Sequence, residues 1–308
     1  MQLKAIIEEN LSGQRLDRAA SSTWVDYSRT SVKKWIDEGR VLLNGEVAKP
    51  KDKVFSGDEI SMQPGILREE SWDPQDMPLN IIAQEQHFIV INKPSNLVVH
   101  PGAGISSGTL ANALAFHFDE LTALPRNGIV HRLDKDTSGI MVIARTPKFH
   151  KSIIAQLHDR EVFKSYQAIV FGEVKASRNF NGDIGRDPKN RIKMKITDHG
   201  REAYTSIFPN LTKNGCSLID VHIATGRTHQ IRVHLSEGGL PIVGDQLYKP
   251  RSLNPNSFSP SVLEITSKFT RQALHAQQLK FLDPSGKKID LAADAPDDFL
   301  NLQEQLFL

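Results

Sequence analysis

The chain has 308 residues, 39% of them hydrophobic and 24% charged, and a formal charge of +2. That length accommodates a buried core plus a small accessory domain, and that composition excludes a globally disordered chain. A charge so near zero excludes a uniformly basic nucleic-acid coat, so any such contact must come from basic residues gathered on one surface.

Cys216 is the single cysteine, so the chain builds no disulfide of its own and no Cys-rich zinc site. The stretch from Met1 to Glu8 lacks the basic, apolar and small-residue pattern of a secretory signal, and no segment reaches the roughly 20 apolar residues that span a bilayer. A cytoplasmic protein with no membrane segment is the expectation.

In chain order, residues 14–62 form the first unit. Ser28 is placed to cap a helix in which Val32, Trp35 and Ile36 recur at i, i+3 and i+4, with Gly39 as its left-handed stop. The same helix carries Arg29, Lys33 and Lys34; Arg29 and Lys33, four apart, repel unless an anion lies between them. Those residues alone fit a solvated basic face equally well. Val41 to Leu43 and Glu46 to Ala48 flank Asn44-Gly45, a tight hairpin turn. Phe55 to Met62 closes the unit as a strand, with Gly57-Asp58 as its turn. Residues 63–78, with three prolines and four acidic side chains, read as a linker.

From 79 to 300 short β-rich runs dominate: Phe88 to Asn92, Ile140 to Ala144, Tyr166 to Phe171 and Ser217 to Ile223. Between them lie a helix striped by Phe149, Ile153, Ile154 and Leu157, and another capped by Thr228, carrying Ile231 and Leu235 and stopped by Gly238-Gly239. Strand runs broken by occasional helices predict an α+β domain on a mixed, mostly antiparallel sheet.

The densest polar segment runs from Gly128 to Thr146, where two apolar strand-like pieces bracket His131, Arg132, Asp134, Lys135 and Asp136. Rigid flanks that hold charged groups at one edge suit a catalytic loop, although a charged loop between strands is more commonly a solvated turn. A kinase reading of His131-Arg132-Leu133-Asp134 fails, because in the kinase loop Asp follows Arg directly and Gly102, Gly104 and Gly108 have the wrong spacing for a phosphate loop. A zinc site on His222, His229 and His234 fails on spacing, since they lie 7 and 5 residues apart with no cysteine among them.

Two resemblances add to this. Residues 14–62 resemble the small RNA-binding domain first described in ribosomal protein S-four, which implies that Arg29, Lys33 and Lys34 face an RNA backbone, where cations release counterions. The second unit resembles the RluA/RluD family of pseudouridine synthases in six ordered blocks. These are NKP with VHPG at 92–102, HRLDKDTSG with IMVIART at 131–146, KSYQA at 164–168, TGRTHQIRVH at 225–234, GDQLY at 244–248 and RQALHA at 271–276. GREAYT at 200–205 is a looser match.

The resemblance implies a uridine isomerase for structured RNA, with large-subunit ribosomal RNA as the expected partner. It implies Asp134 as nucleophile or base, Arg232 as its cationic partner, Tyr166 stacked on the target base, Arg132 reaching into the RNA, and His131 and Arg227 as further RNA contacts. No cofactor or metal and a monomeric state are expected. Transfer RNA is an alternative substrate. A non-catalytic assembly factor is the alternative class, and it would be marked by loss of Asp134, Tyr166 or Arg232, all of which are present.

Overall fold

The computed structural model describes residues 2–24, 27, 29–64, 72–102, 104–190, 192–249 and 258–308, apart from the side chain of Thr30. Ser28, the expected cap, and residues 65–71 of the expected linker lie outside the described residues. The chain divides into two compact units, Met1–Ser71 and Trp72–Leu308.

The first unit contains β1 (Leu3–Ile6), α1 (Leu16–Thr23), α2 (Arg29–Asp37), β2 (Val41–Leu43), β3 (Glu46–Val47) and β4 (Glu59–Met62). The sheet order is β1-β4-β2-β3, so residues ahead of position 14 take part in it. The stripe read in α2 is real: Val32, Trp35 and Ile36 are buried with Leu16, Ala19 and Ala20 of α1. Burying each large side chain contributes roughly 1.5–3 kcal/mol. Gly39 takes φ 71°, and the hairpin turn takes φ 52° at Asn44 and 84° at Gly45, the left-handed pair a two-residue turn demands. The strand expected over Phe55 to Met62 is confined to Glu59–Met62. Residues 55–58 are a turn instead, because the Asp58 carboxylate accepts the Phe55 amide at 2.7 Å and Gly57 takes φ 90°.

The second unit runs β5 (Ile81–Gln84), β6 (Phe88–Lys93), α3 (Leu110–His117), β7 (Ser138–Ala144), α4 (Pro147–His158), β8 (Phe163–Phe171), β9 (Arg178–Asn181), β10 (Ile184–Arg186), β11 (Met194–Ile196), β12 (Tyr204–Lys213), β13 (Cys216–Ile223), α5 (Gln230–Glu237), α6 (Pro260–Lys268), β14 (Leu274–Leu282), β15 (Lys288–Ala292) and α7 (Asp297–Phe307). Among the described residues these make a nine-stranded sheet in the order β5-β6-β7-β14-β8-β13-β12-β9, with β15 on β14. Every pair is antiparallel except β7 with β14. This is the mixed, mostly antiparallel sheet that the strand runs predicted. All seven residues of β7 are buried, as expected for a central strand covered on both faces.

Three local readings change. The described end of the expected linker is anchored on this unit: Asp73 O accepts Asn112 Nδ2 at 2.8 Å, and Gln75 Oε1 accepts the Gly108 amide at 2.6 Å. Ile154 is 44% exposed, off the face that buries Phe149 and Ile153. Helix α5 is not capped by Thr228: it starts at Gln230, after His229 in the left-handed region (φ 57°, ψ 19°), and the Gln230 side chain itself accepts the Arg227 amide at 3.0 Å.

The parallel contact of β7 with β14 positions the polar loop. Ser138 and Gly139 align with His275 and Ala276, and a Cβ on Gly139 would sit 2.1 Å from the Ala276 carbonyl oxygen. Only glycine admits that approach. The chain just ahead of it, residues 131–137, is therefore held where β14 and β8 meet.

Candidate active site

The loop is fixed through its backbone. Thr137 N–H donates to Asp134 O at 3.1 Å, closing a tight turn. From β6, the fully buried Lys93 donates to the carbonyls of Pro94, Leu97 and Lys135 at 2.7, 2.9 and 3.0 Å. Burial pushes the Lys93 amine down to about 7, against the pull of Asp136 and Asp134. Three carbonyl acceptors match the three N–H groups of the ammonium, so the charged form fits this socket. Ahead of β14, Gln272 donates to Thr137 Oγ1 at 3.1 Å.

Asp134 projects from this loop toward α5, where Arg232 Nη1 donates to Asp134 Oδ2 at 2.9 Å. On its other side Arg232 is gripped by Asp245, through Nε to Oδ2 at 2.7 Å and Nη2 to Oδ1 at 3.0 Å. Asp245 also accepts the amides of Leu247 and Tyr248 on Oδ1, and its side chain is 1% exposed. The Arg232 guanidinium lies 5.0 Å from the centre of the Tyr248 ring. Burial alone would weaken the Arg232 cation, but the hydrogen bonds and charge of Asp245, joined by Asp134, carry its pKa upward. Burial likewise opposes ionisation of Asp245, and Arg232 holds its carboxyl below the usual range. Among the described residues nothing donates to Asp134 Oδ1.

Tyr166 pairs across the sheet with Val221 of β13 and Ala276 of β14, and lines one cleft with Asp134, Arg227, His229 and Arg232. Burial, then the charge of Asp134, pushes its phenol pKa upward, so the hydroxyl keeps its proton. His229 sits 4.0 Å from Asp134 Oδ2 through Nε2 and is held through Nδ1 by the Tyr248 hydroxyl at 2.8 Å.

The fold brings Asp134, Tyr166 and Arg232 together, with Arg132 exposed on the same cleft and Arg227 half-buried beside it. His131 is committed on one side: its Nε2 accepts the Val142 amide at 3.0 Å, and burial pushes its pKa down to about 4, so the ring is neutral. The three basic residues of α2 belong to the other unit and differ among themselves. Arg29 donates to Asp17 Oδ2 at 3.0 Å, Lys34 lies 3.9 Å from Glu38, and Lys33 is exposed. The anion beside Arg29 is thus Asp17 of α1. The three histidines weighed as metal ligands are committed separately: His222 packs between Phe163 and Phe208, His229 bonds Tyr248, and His234 bonds Thr205 and Gly182. Lys93, Asp245 and Tyr248 were missed as site residues. They stand inside the motif blocks, but a partner that is distant in sequence leaves no spacing signal.

A family model described as RNA pseudouridylate synthase matches residues 87–237, and one for the S4 domain matches residues 14–60. The "Ribosomal large subunit pseudouridine synthase D" of Escherichia coli (strain K12) is 40% identical, covering 99% of this chain and 94% of its own length. The protein of the same name from Xanthomonas campestris pv. campestris is 40% identical over 98% of this chain and 92% of its own. Among solved structures, human RNA Pseudouridylate Synthase Domain Containing 4 aligns with a TM-score of 0.58 and 26% identity, over 74% of this chain and 92% of that one. The chain belongs to the RNA pseudouridylate synthase family and is an RNA pseudouridine synthase, an isomerase.

Proposed function

We propose that the cleft around Asp134 isomerises uridines of large-subunit ribosomal RNA, with Asp134 as the attacking or proton-removing carboxylate. The observation that carries this is the single-sided tie of Asp134. Arg232 engages one oxygen in an ion pair, while the other oxygen meets no donor among the described residues and is left for the ribose. The bond from ribose C1′ to uracil N1 breaks with its electron pair on the base, the base turns, and ring carbon 5 bonds to C1′. The proton on carbon 5 leaves and N1 gains one, so atoms and electrons balance without an oxidant, a reductant or a cofactor.

Tyr166 provides an aromatic face for the base; its raised phenol pKa favours that part over service as a phenolate base. Arg132 enters the space left when the uridine leaves its stack, an extrusion that costs a few kcal/mol. Arg227 and His131 flank the entering strand. Ribosomal RNA is favoured over transfer RNA by the names of the relatives and by the S4 domain, whose Lys33, Lys34 and Arg29 add backbone grip. On this reading residues 14–62 bind, residues 79–300 react, residues 63–78 join them, and the enzyme works as a monomer in the cytoplasm.

Asp134→Asn keeps size and removes the reactive oxygen. It is expected to bind ribosomal RNA like the parent and to lose on the order of a hundredfold to ten-thousandfold or more in product formation. Conversion by Asp134→Asn within tenfold of the parent would remove Asp134 from its role.

A further inference from the structure

Beside the Asp134 cleft runs a second groove, lined by four cationic side chains, among them Lys164, Arg132 and Arg227, and by no carboxylate. Lys164 stands on β8 two positions before Tyr166, so strand alternation sends both side chains to the same side. It is 8% exposed, yet it makes no hydrogen bond or ion pair with any other described residue. A lone ammonium at that depth is costly unless an anion completes it. Burial, and then the charge of Arg227, lower its pKa to about 8, which still leaves most of the amine protonated at neutral pH.

Its neighbours are unspent in the same sense. His131 accepts Val142 N–H on Nε2, which leaves Nδ1 as the protonated nitrogen, and that N–H meets no acceptor among the described residues. Arg227 uses only Nε, on Glu202 O at 3.0 Å, and Arg132 bonds to no described residue. These four groups are all donors. A uracil edge carries a donor of its own and would need an acceptor in return; a phosphodiester offers two acceptor oxygens, a negative charge and no donor.

We propose that Lys164, His131 and Arg227 form a phosphate subsite that grips one RNA backbone phosphate next to the uridine being modified. The subsite rests on the pseudouridine synthase reading and deepens it: Arg132, Tyr166 and Arg227 line both grooves, so the gripped phosphate belongs to the target nucleotide or its neighbour. A charge that is uncompensated in the free protein is compensated by substrate, so its cost is recovered only when RNA is seated.

The test uses the full chain and a stem-loop RNA in which single phosphates around the target uridine are replaced by neutral methylphosphonates. Lys164→Met and Lys164→Gln are each expected to weaken binding about tenfold and to flatten the dependence of log Kd on log salt by roughly 0.7–0.9. One methylphosphonate position should cause the same loss in the parent and no further loss in Lys164→Met. The RNA-free Lys164→Met protein should melt at or above the parent, because a lone buried charge is gone. The proposal is overturned if Kd and salt slope stay at parent values, or if every methylphosphonate adds its full cost in Lys164→Met. It is equally overturned if only the single-turnover rate falls, which would put the amine on the base, or if the RNA-free variant melts below the parent. These binding readouts do not depend on turnover. A parent that binds as described yet makes no pseudouridine would fault the functional reading and spare the subsite.

Discussion

Among the described residues each unit holds a three-membered ion cluster about a buried centre, and the two are inversions of each other. In the first, a carboxylate sits between two guanidiniums: Asp17, with a side chain 3% exposed, is held by Arg15 at 3.0 Å and Arg29 at 3.0 Å, whose side chains are 49% and 53% exposed. In the second, a guanidinium sits between two carboxylates: Arg232 is 8% exposed, with Asp245 at 1% and Asp134 at 18%. The first cluster hides a saturated acid and leaves its cations in water, where solvent and salt screen them. The second hides a cation paired on both sides and leaves one acid partly open. A reactive carboxylate needs a neighbouring charge to stay ionised but also an oxygen that is not consumed by it. Asp245 resolves this by holding Arg232 through two N–H groups, so that the guanidinium reaches Asp134 with one N–H on one oxygen.

The sharpest way to break the comparison is Arg232→Ala. Removing the shared cation leaves Asp245 buried and unpaired, which is expected to cost roughly 3–5 kcal/mol of stability by denaturant titration. Most single-turnover activity should vanish at saturating RNA. Arg232→Lys should restore only part of it, since a point charge replaces a planar fork. If the alanine variant bound RNA weakly but turned over normally, Arg232 would be a phosphate contact and not the partner of Asp134.

Asp245→Asn sharpens the same point from the far side. The amide oxygen can still accept the Leu247 and Tyr248 amides, but the charge that orients Arg232 is lost. Turnover is expected to fall by roughly tenfold to a hundredfold, with stem-loop affinity nearly unchanged, because Asp245 lies behind the arginine. An unchanged rate constant would show that Asp134 alone orients the guanidinium.

In the first unit, Asp17→Asn should affect stability alone, by roughly 1–3 kcal/mol, and leave turnover of a short stem-loop at the parent value. Burial opposes ionisation of Asp17, but hydrogen bonds from Arg15 and Arg29 hold its pKa below the ordinary carboxyl value. Its contribution is therefore fully present above the unfolded-state value and is lost as pH falls through the folded-state value. The stability gap between parent and Asp17→Asn should accordingly narrow as a titration proceeds below pH 4. A gap constant down to pH 2 would mean that the carboxylate is not the stabilising form.

The smallest stability effect is expected at the exposed cations of α2. Lys33→Gln with Lys34→Gln should move stability by no more than about 0.5 kcal/mol, since the Lys34–Glu38 pair is long and exposed. The pair should nevertheless flatten the salt dependence of binding to ribosomal RNA by roughly 0.7–0.9 per lysine. An unchanged slope would make this helix face a solvated surface and leave the grip to other residues.

Much of this molecule is local and so was readable from the chain alone. Side-chain period set the buried face of α2 and the strands through Tyr166 and Val221, while Asn44-Gly45 and Gly39 fixed a turn and a helix end through φ values that few residues adopt. The motif blocks brought out Asp134, Tyr166 and Arg232 together. What the sequence could not determine is which charge answers which, because pairing energy depends on distance and burial and not on separation along the chain. Arg232 lies 98 residues from Asp134 and 13 from Asp245, yet it spends more hydrogen bonds on the latter. Arg29, whose charge the sequence left to be answered by an unspecified anion, is answered by Asp17 of the preceding helix. Lys164, unremarkable as a strand residue, became a buried cation without a described side-chain partner only when β13, β14 and the 131–137 loop closed around β8.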